Sequence, residues 1–342
     1  MVEKQGSGEF VFELVEDWAQ LPDGWTFVEV GGVGVDRNDN VYVYNRSQHP
    51  LMVFDKDGNF LKSWGEGLYP RAHGVTMGPD DTIYLTDDGN HSVRKCNLNG
   101  DILMTLGSPG KPSHFMSGNP FNRCTHVALD PNNGDIYVSD GYGNAKVHKY
   151  SPDGKILFSW GESGTGPGEF NLVHNIATDK DGYVYVADRE NHRVQVFDKN
   201  GKFETQWKNL HRPCGIFIDA NNPQTCYIAE LGATMAVNIH YPNIGPRVVI
   251  TDLKGNILEK LGNDSETEVA EISDTLKIKI GTNPTEFTAP HTITVDSNGD
   301  IYENGEYSIT FRLIDYLEQN EQMIWENVQY CSERCKRSLK EL

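Results

Sequence analysis

The sequence predicts an all-β protein, a six-bladed β-propeller occupying residues 1–342 as a single domain. Three observations predict it. One short pattern returns along the chain at intervals typical of repeat folds. Within each copy apolar and polar residues alternate with period two, as in half-buried strands. Asp-Gly and Asn-Gly pairs punctuate the copies where two-residue hairpin turns would fall.

The first element, "FVFELVEDW" (10–18), reads as the fourth strand of a unit that has no unit before it. It is expected to complete the last blade and close the ring. The blades then follow in order. Residues 25–68 contain "VYVYNRSQHPLMVFD" (41–55), and residues 69–120 contain "IYLTDDGNHSVRKCN" (83–97). Residues 121–168 carry "IYVSDGYGNAKVHKY" (136–150), one residue longer, and residues 169–210 carry "VYVADRENHRVQVFD" (184–198). Weaker copies occupy 211–262, with "CYIAELG" (226–232) and "RVVITD" (247–252), and 287–325, with "IYENGEYSITFRLID" (301–315). The residues ending the second strand, Asn45, Asp87, Asp140, Asp188, Glu230 and Gly305, are spaced by 42, 53, 48, 42 and 75. The last interval is long because of insertions near 233–246 and 263–286. A four-stranded unit of about 45 residues cannot bury both faces alone, so the units must stack radially about a channel.

Composition narrows the function. Thirty basic against 49 acidic residues give a net charge of −19, which repels nucleic acid and anionic membrane. No apolar run approaches the ~18 residues of a membrane span, and "MVEKQGSGEF" holds no signal-peptide core. Cys96, Cys124, Cys214, Cys226, Cys331 and Cys335 contain no C-x-x-C pair and read as reduced thiols of a cytoplasmic protein. "CSERC" near the end could bind metal or form a disulfide, but reads as part of a frayed basic terminus.

The first strand of each blade lines the channel. Aligning the copies puts Gly31, His73, Thr125, His174, Cys214 and His291 at the start of that strand. Histidine thus occupies alternate blades, about 120° apart in a ring of six. Eleven histidines scattered at random would rarely fall in this pattern. Three neutral imidazoles with an open fourth position make a catalytic zinc site. The competing reading is a set of polar plugs satisfied by water. Cys214 could be a softer fourth ligand, although small residues pack that slot in other blades. The loops leaving the second strands open on the same face. Arg46 and Arg189 hold identical alignment positions there, and the inserted residue of the third blade presents Tyr142. Paired guanidiniums suit a carboxylate, and a tyrosine beside a cation suits a base.

These residues carry a resemblance. The blades resemble NHL repeats. "RAHG" (71–74), "SDGYGNAKVHKYSPDGKILFSWGE" (139–162), "NLVHNIA" (171–177), "ADRENHRVQVF" (187–197) and "APHTI" (289–293) are similar to the peptidyl-α-hydroxyglycine α-amidating lyase family. The likeness covers about residues 25–310. It implies one zinc held by His73, His174 and His291, a substrate hydroxyl proton taken by Tyr142, and a carboxylate bound by Arg46 and Arg189. The animal proteins place aspartate after the third histidine, where it helps to hold a structural calcium. Here that residue is Thr292, which speaks against calcium. Their monooxygenase domain has no counterpart here, so a peptide substrate need not follow.

Three function classes compete. The first is a zinc-dependent lyase that splits an N-acyl or N-carbamoyl α-hydroxyglycine-like hemiaminal into an amide and glyoxylate. The second is a zinc-dependent hydrolase of a lactone, ester or amide. The third is a non-catalytic interaction platform, which needs no alternating histidines in its channel. The paired arginines favour a small carboxylated substrate and hence the lyase.

Overall fold

The computed structural model describes residues 4–15, 17–221, 223–232, 245–262, 267–271, 277–281, 287, 289–305 and 311–316. Cys331 and Cys335 lie outside them, as does the end of the 287–325 blade beyond 316.

The protein is an all-β propeller. Five blades are four-stranded antiparallel sheets of contiguous chain, where the repeats lead one to expect six. Their inner strands are Val30–Val35, Ala72–Gly78, His126–Leu129, Val173–Thr178 and Pro213–Ile218. The sixth set of strands does not form a blade of its own. Pro290–Val295, Ile301–Gly305 and Phe311–Tyr316 join Phe10–Val15 and Lys4–Ser7 in a composite five-stranded sheet. The N-terminal strand therefore closes the ring as expected, with Val15 opposite Leu313 and Phe12 opposite Tyr316. An additional strand, Lys4–Ser7, covers its outer edge. The innermost strands contact one another in a closed circle, Pro290–Val295 lying against Val30–Val35. Among the described residues no helix is long and apolar enough to cross a membrane.

Two turn types explain why these residues form hairpins. After the inner strand an aspartate caps its own turn: Asp179 Oδ1 accepts from the backbone N–H groups of Asp181 and Tyr183, and its Oδ2 from the Tyr185 hydroxyl. Asp36 does the same with Asn38, Asn40 and Tyr42. The turns between third and fourth strands are not the two-residue hairpins that Asp-Gly suggested. Gly58 N–H donates to the Asp55 carbonyl and Gly58 sits at φ +80°, so a type I turn precedes a left-handed glycine. A separate bulge follows in the fourth strand, where Leu61 is skipped in the pairing with Val53 and Phe54.

The core lies between neighbouring sheets. Tyr42, Tyr44, Leu51 and Val53 of the first blade pack on Ala72, Val75, Ile83 and Leu85 of the second. Trp18 locks the closure: it is 1% exposed, its ring centroid is 5.4 Å from Tyr302 and 5.6 Å from Phe54, and its indole N–H donates to the Lys56 carbonyl. Deleting residues 1–18 would uncover a sheet edge and remove this tryptophan, a loss of about 3–5 kcal/mol. The truncated chain is expected to aggregate or to melt roughly 10 °C lower. A calorimetric scan with an unchanged transition would refute the closure.

Candidate metal centre in the channel

The inner strands aim their first residues at the axis through a shared irregularity. Gly31, His73, His174, Cys214 and His291 are each skipped in the pairing with the second strand. Such a bulge re-aims a side chain and is common beside active sites. In the third blade Thr125 stands just before the strand, its N–H bonded to the Ser139 carbonyl at 2.8 Å.

His73, His174 and His291 converge. Their ring centroids are 5.0, 4.9 and 4.7 Å apart, all three are buried, and one ring nitrogen of each lies within 4.8 Å of the others. The intervening blades orient them. His73 Nδ1–H donates to the Thr125 carbonyl at 2.8 Å, His174 Nδ1–H to the Cys214 carbonyl at 2.8 Å, and His291 Nδ1–H to the Gly31 carbonyl at 3.0 Å. A carbonyl can only accept, so Nδ1 carries the proton and Nε2 presents a lone pair. Burial pushes His73 and His174 well below the usual imidazole range, and neighbouring imidazoles and arginines push the same way. Three neutral, oriented imidazoles are a donor set that fits a divalent metal. The histidines could therefore hold one.

Tyr142 belongs to the same cluster. Its hydroxyl is 3.3 Å from His73 Nε2 and 3.1 Å from His174 Nε2. Its loop approaches the channel closely because residue 141 is glycine: a Cβ there would meet the Val173 carbonyl oxygen at 1.9 Å. The guanidinium carbon of Arg123 lies 4.4 Å from the centroid of the Tyr142 ring, and that of Arg189 5.7 Å. Cys214 does not join the metal-ligand cluster. Its sulfur lies 3.2 Å from His174 Nδ1 and 3.6 Å from Nε2, beside the imidazole. Thr292 is buried next to His291 and carries no carboxylate.

The two expected arginines are both at the mouth, but neither is bare. Arg46 pairs with Glu29, and its Nε–H donates to the Ala72 carbonyl at 3.1 Å. Its Nη2 is buried without a hydrogen-bond partner. Arg189 pairs with Glu190 at 2.8 Å. Sequence reasoning missed the rest of this rim. Arg71 and Arg123 share the buried Asp88 at 2.5 and 2.6 Å, and Arg212 pairs with Glu190 at 2.9 Å. Burial raises the Glu190 carboxyl, but the two guanidiniums outweigh it and hold it down to about 2. A signal existed: Arg71, Arg123 and Arg212 stand two residues before His73, Thr125 and Cys214. Five guanidiniums thus gather on the loops around the histidines, with Glu29, Asp88 and Glu190 as their ion-pair partners.

Buried histidines also set an acid limit. Burial and His291 push His126 down to about 3, and burial with His192 pushes His211 down to about 4. Both are neutral in the fold, whereas the unfolded chain takes up these protons near 6.5. Stability is therefore full above pH 6.5 and is lost as pH falls towards the folded values. The metal-free melting temperature is expected to drop steadily from pH 6.5 to 4; a flat profile would contradict the burial.

Fold and cluster together define an NHL-repeat propeller with a three-histidine centre in its channel. The family model for the NHL repeat matches residues 170–197. Human NHL repeat-containing protein 3 is 35% identical over 255 residues, which are 69% of this chain and 72% of that protein. The chain belongs to the family of NHL repeat-containing protein 3. It is also 30% identical over 258 residues to peptidyl-alpha-hydroxyglycine alpha-amidating lyase 1 of Drosophila melanogaster, covering 71% of this chain but only 44% of the fly protein. Among solved structures, virginiamycin B lyase from Staphylococcus aureus superposes with a TM-score of 0.59 at 16% identity, covering 90% of this chain and 100% of that one. At that identity the likeness concerns the fold alone.

Proposed function

We propose that the protein is a metal-dependent carbon–nitrogen lyase that splits an N-acyl-α-hydroxyglycine, or an N-carbamoyl counterpart, into an amide and glyoxylate. The observation that carries this reading is the Tyr142 hydroxyl set against His73 and His174 beside a ring of arginines. The relatives named as amidating lyases support it. His73, His174 and His291 hold the metal, and the softness and geometry of three imidazoles favour zinc. A zinc bound there supplies Lewis-acid polarisation of the substrate hydroxyl.

The chain's own groups do the rest. Arg46, with its unpartnered buried Nη2, and Arg189 bind the substrate carboxylate. Tyr142, as the phenolate, takes the hydroxyl proton; the C–O bond becomes a carbonyl as the C–N bond breaks, and the nitrogen leaves with the electron pair and receives that same proton from the Tyr142 hydroxyl. Arg123 and Arg189 against the Tyr142 ring favour the phenolate that this proton transfer requires. The partner is thus a small carboxylated molecule, neither nucleic acid nor membrane.

The test offers zinc-loaded protein an N-acyl-α-hydroxyglycine, its analogue without the carboxylate, and simple lactones and aryl esters. Glyoxylate release is expected from the first, and roughly 10²-fold slower cleavage of the analogue, because it forfeits the charge-assisted hydrogen bonds between carboxylate and arginines. Ester or lactone turnover without any glyoxylate would make the protein a hydrolase.

A further inference from the structure

The connection between Ile102–Gly107 and His126–Leu129 runs from an outer strand to an inner one, and so crosses the end of the propeller where the histidines lie. It carries Phe115, 74% exposed, and Met116, 44% exposed, side by side. Single exposed apolar side chains are ordinary; this pair differs in how it is held. Met116 sits at φ +55°, a left-handed conformation that a side chain of its size seldom adopts. Its N–H donates to the Gly143 carbonyl at 2.7 Å, and the Gly143 N–H returns a bond to the Asn122 carbonyl at 2.9 Å. Asn144 accepts from the Gly118 N–H at 3.0 Å and donates to the Asn119 carbonyl at 3.0 Å. The loop, with its apolar tip, is therefore fastened to the residues that directly follow Tyr142. Other exposed apolar residues, such as Leu61, Leu103 and Ile156, lie on outermost strands, far along the blades from the channel.

The acyl group is the one part of an N-acyl-α-hydroxyglycine not taken by the histidines, Tyr142 or the arginines. We propose that the 113–122 loop is the acyl-selecting subsite, in which Phe115 and Met116 receive a large apolar or aromatic acyl group; this rests on the lyase reading above. Shielding such a group from water against two apolar side chains favours it over an acetyl group, whose single methyl offers little area to cover.

The metal-loaded protein is given N-acetyl-, N-octanoyl- and N-benzoyl-α-hydroxyglycine while glyoxylate is followed, and the unreactive N-acetylglycine and N-octanoylglycine are titrated in a calorimeter. The octanoyl and benzoyl substrates are expected to have kcat/KM about tenfold above acetyl, and N-octanoylglycine to bind about tenfold more tightly than N-acetylglycine. A Phe115→Ser, Met116→Ser double variant should bring both ratios close to one with an unchanged melting temperature, whereas Phe115→Leu should keep most of the preference. Equal kcat/KM for all three acyl groups, or a preference that survives in the double variant, would overturn the subsite and leave the lyase reading standing. Absence of glyoxylate from every acyl substrate would overturn the lyase reading, and the calorimetric ratio and its loss in the double variant would then decide the subsite alone.

Discussion

Alanine at position 174 is expected to empty the channel of metal and abolish turnover. His174 is one of the three proposed ligands, its ring fixed by the Cys214 carbonyl at 2.8 Å, and the cluster offers no further histidine or carboxylate among the described residues. Loss of even an orienting partner typically weakens metal binding by about 10–100-fold, and loss of a ligand costs more. Zinc content after dialysis should fall below about one-tenth of wild type, with rates down by more than about 10³-fold. His73→Ala and His291→Ala should behave alike, since each ring hangs on the next blade's carbonyl in the same way. His49, stacked on Trp25 at 3.3 Å between centroids, serves as the control, and His49→Ala should keep its metal. Full occupancy by emission spectrometry in the three channel variants would remove the centre from consideration.

The second large effect is expected of Tyr142→Phe. The substitution deletes the hydroxyl that lies 3.3 and 3.1 Å from two Nε2 atoms but keeps the ring on which Arg123 stacks. Loss of a general base lowers rates by about 10²–10⁴-fold. The fall should appear in kcat, because the arginines proposed to bind the carboxylate are untouched, and metal content should match wild type. Turnover within about threefold of wild type would show that Tyr142 only packs and that another group takes the proton.

Much of the site was legible because the repeat supplies a register. Once "VYVYNRSQHPLMVFD" lies on "VYVADRENHRVQVFD", the start of every inner strand is located, and alternation of His73, His174 and His291 with Gly31, Thr125 and Cys214 can be read without coordinates. The extra residue at Tyr142 stood out for the same reason. Arg46 and Arg189 were found by their equivalent positions, but their partners were not. Glu29 stands just before the inner strand of its own blade, Glu190 directly follows Arg189, and Asp88 gathers arginines from 17 and 35 residues away. Asp88–Arg123 and Glu190–Arg212 cross a blade boundary, and such pairs have no fixed spacing within the repeat, so alignment of the copies does not reveal them.

The sequence by itself determined an all-β propeller, an N-terminal strand that closes it, and three histidines sharing one channel, because period-two alternation and a repeat length are local properties of the chain. Tertiary structure decided what the pattern does. It extended the last sheet, which Phe10–Val15 completes, by a fifth strand, Lys4–Ser7, that covers the outer edge. It also gave the non-histidine blades their purpose: the carbonyls of Gly31, Thr125 and Cys214 hold the imidazoles of the preceding blades. Backbone carbonyls are the same in every residue, so only the bulges and the closure of the ring determine which of them faces a histidine.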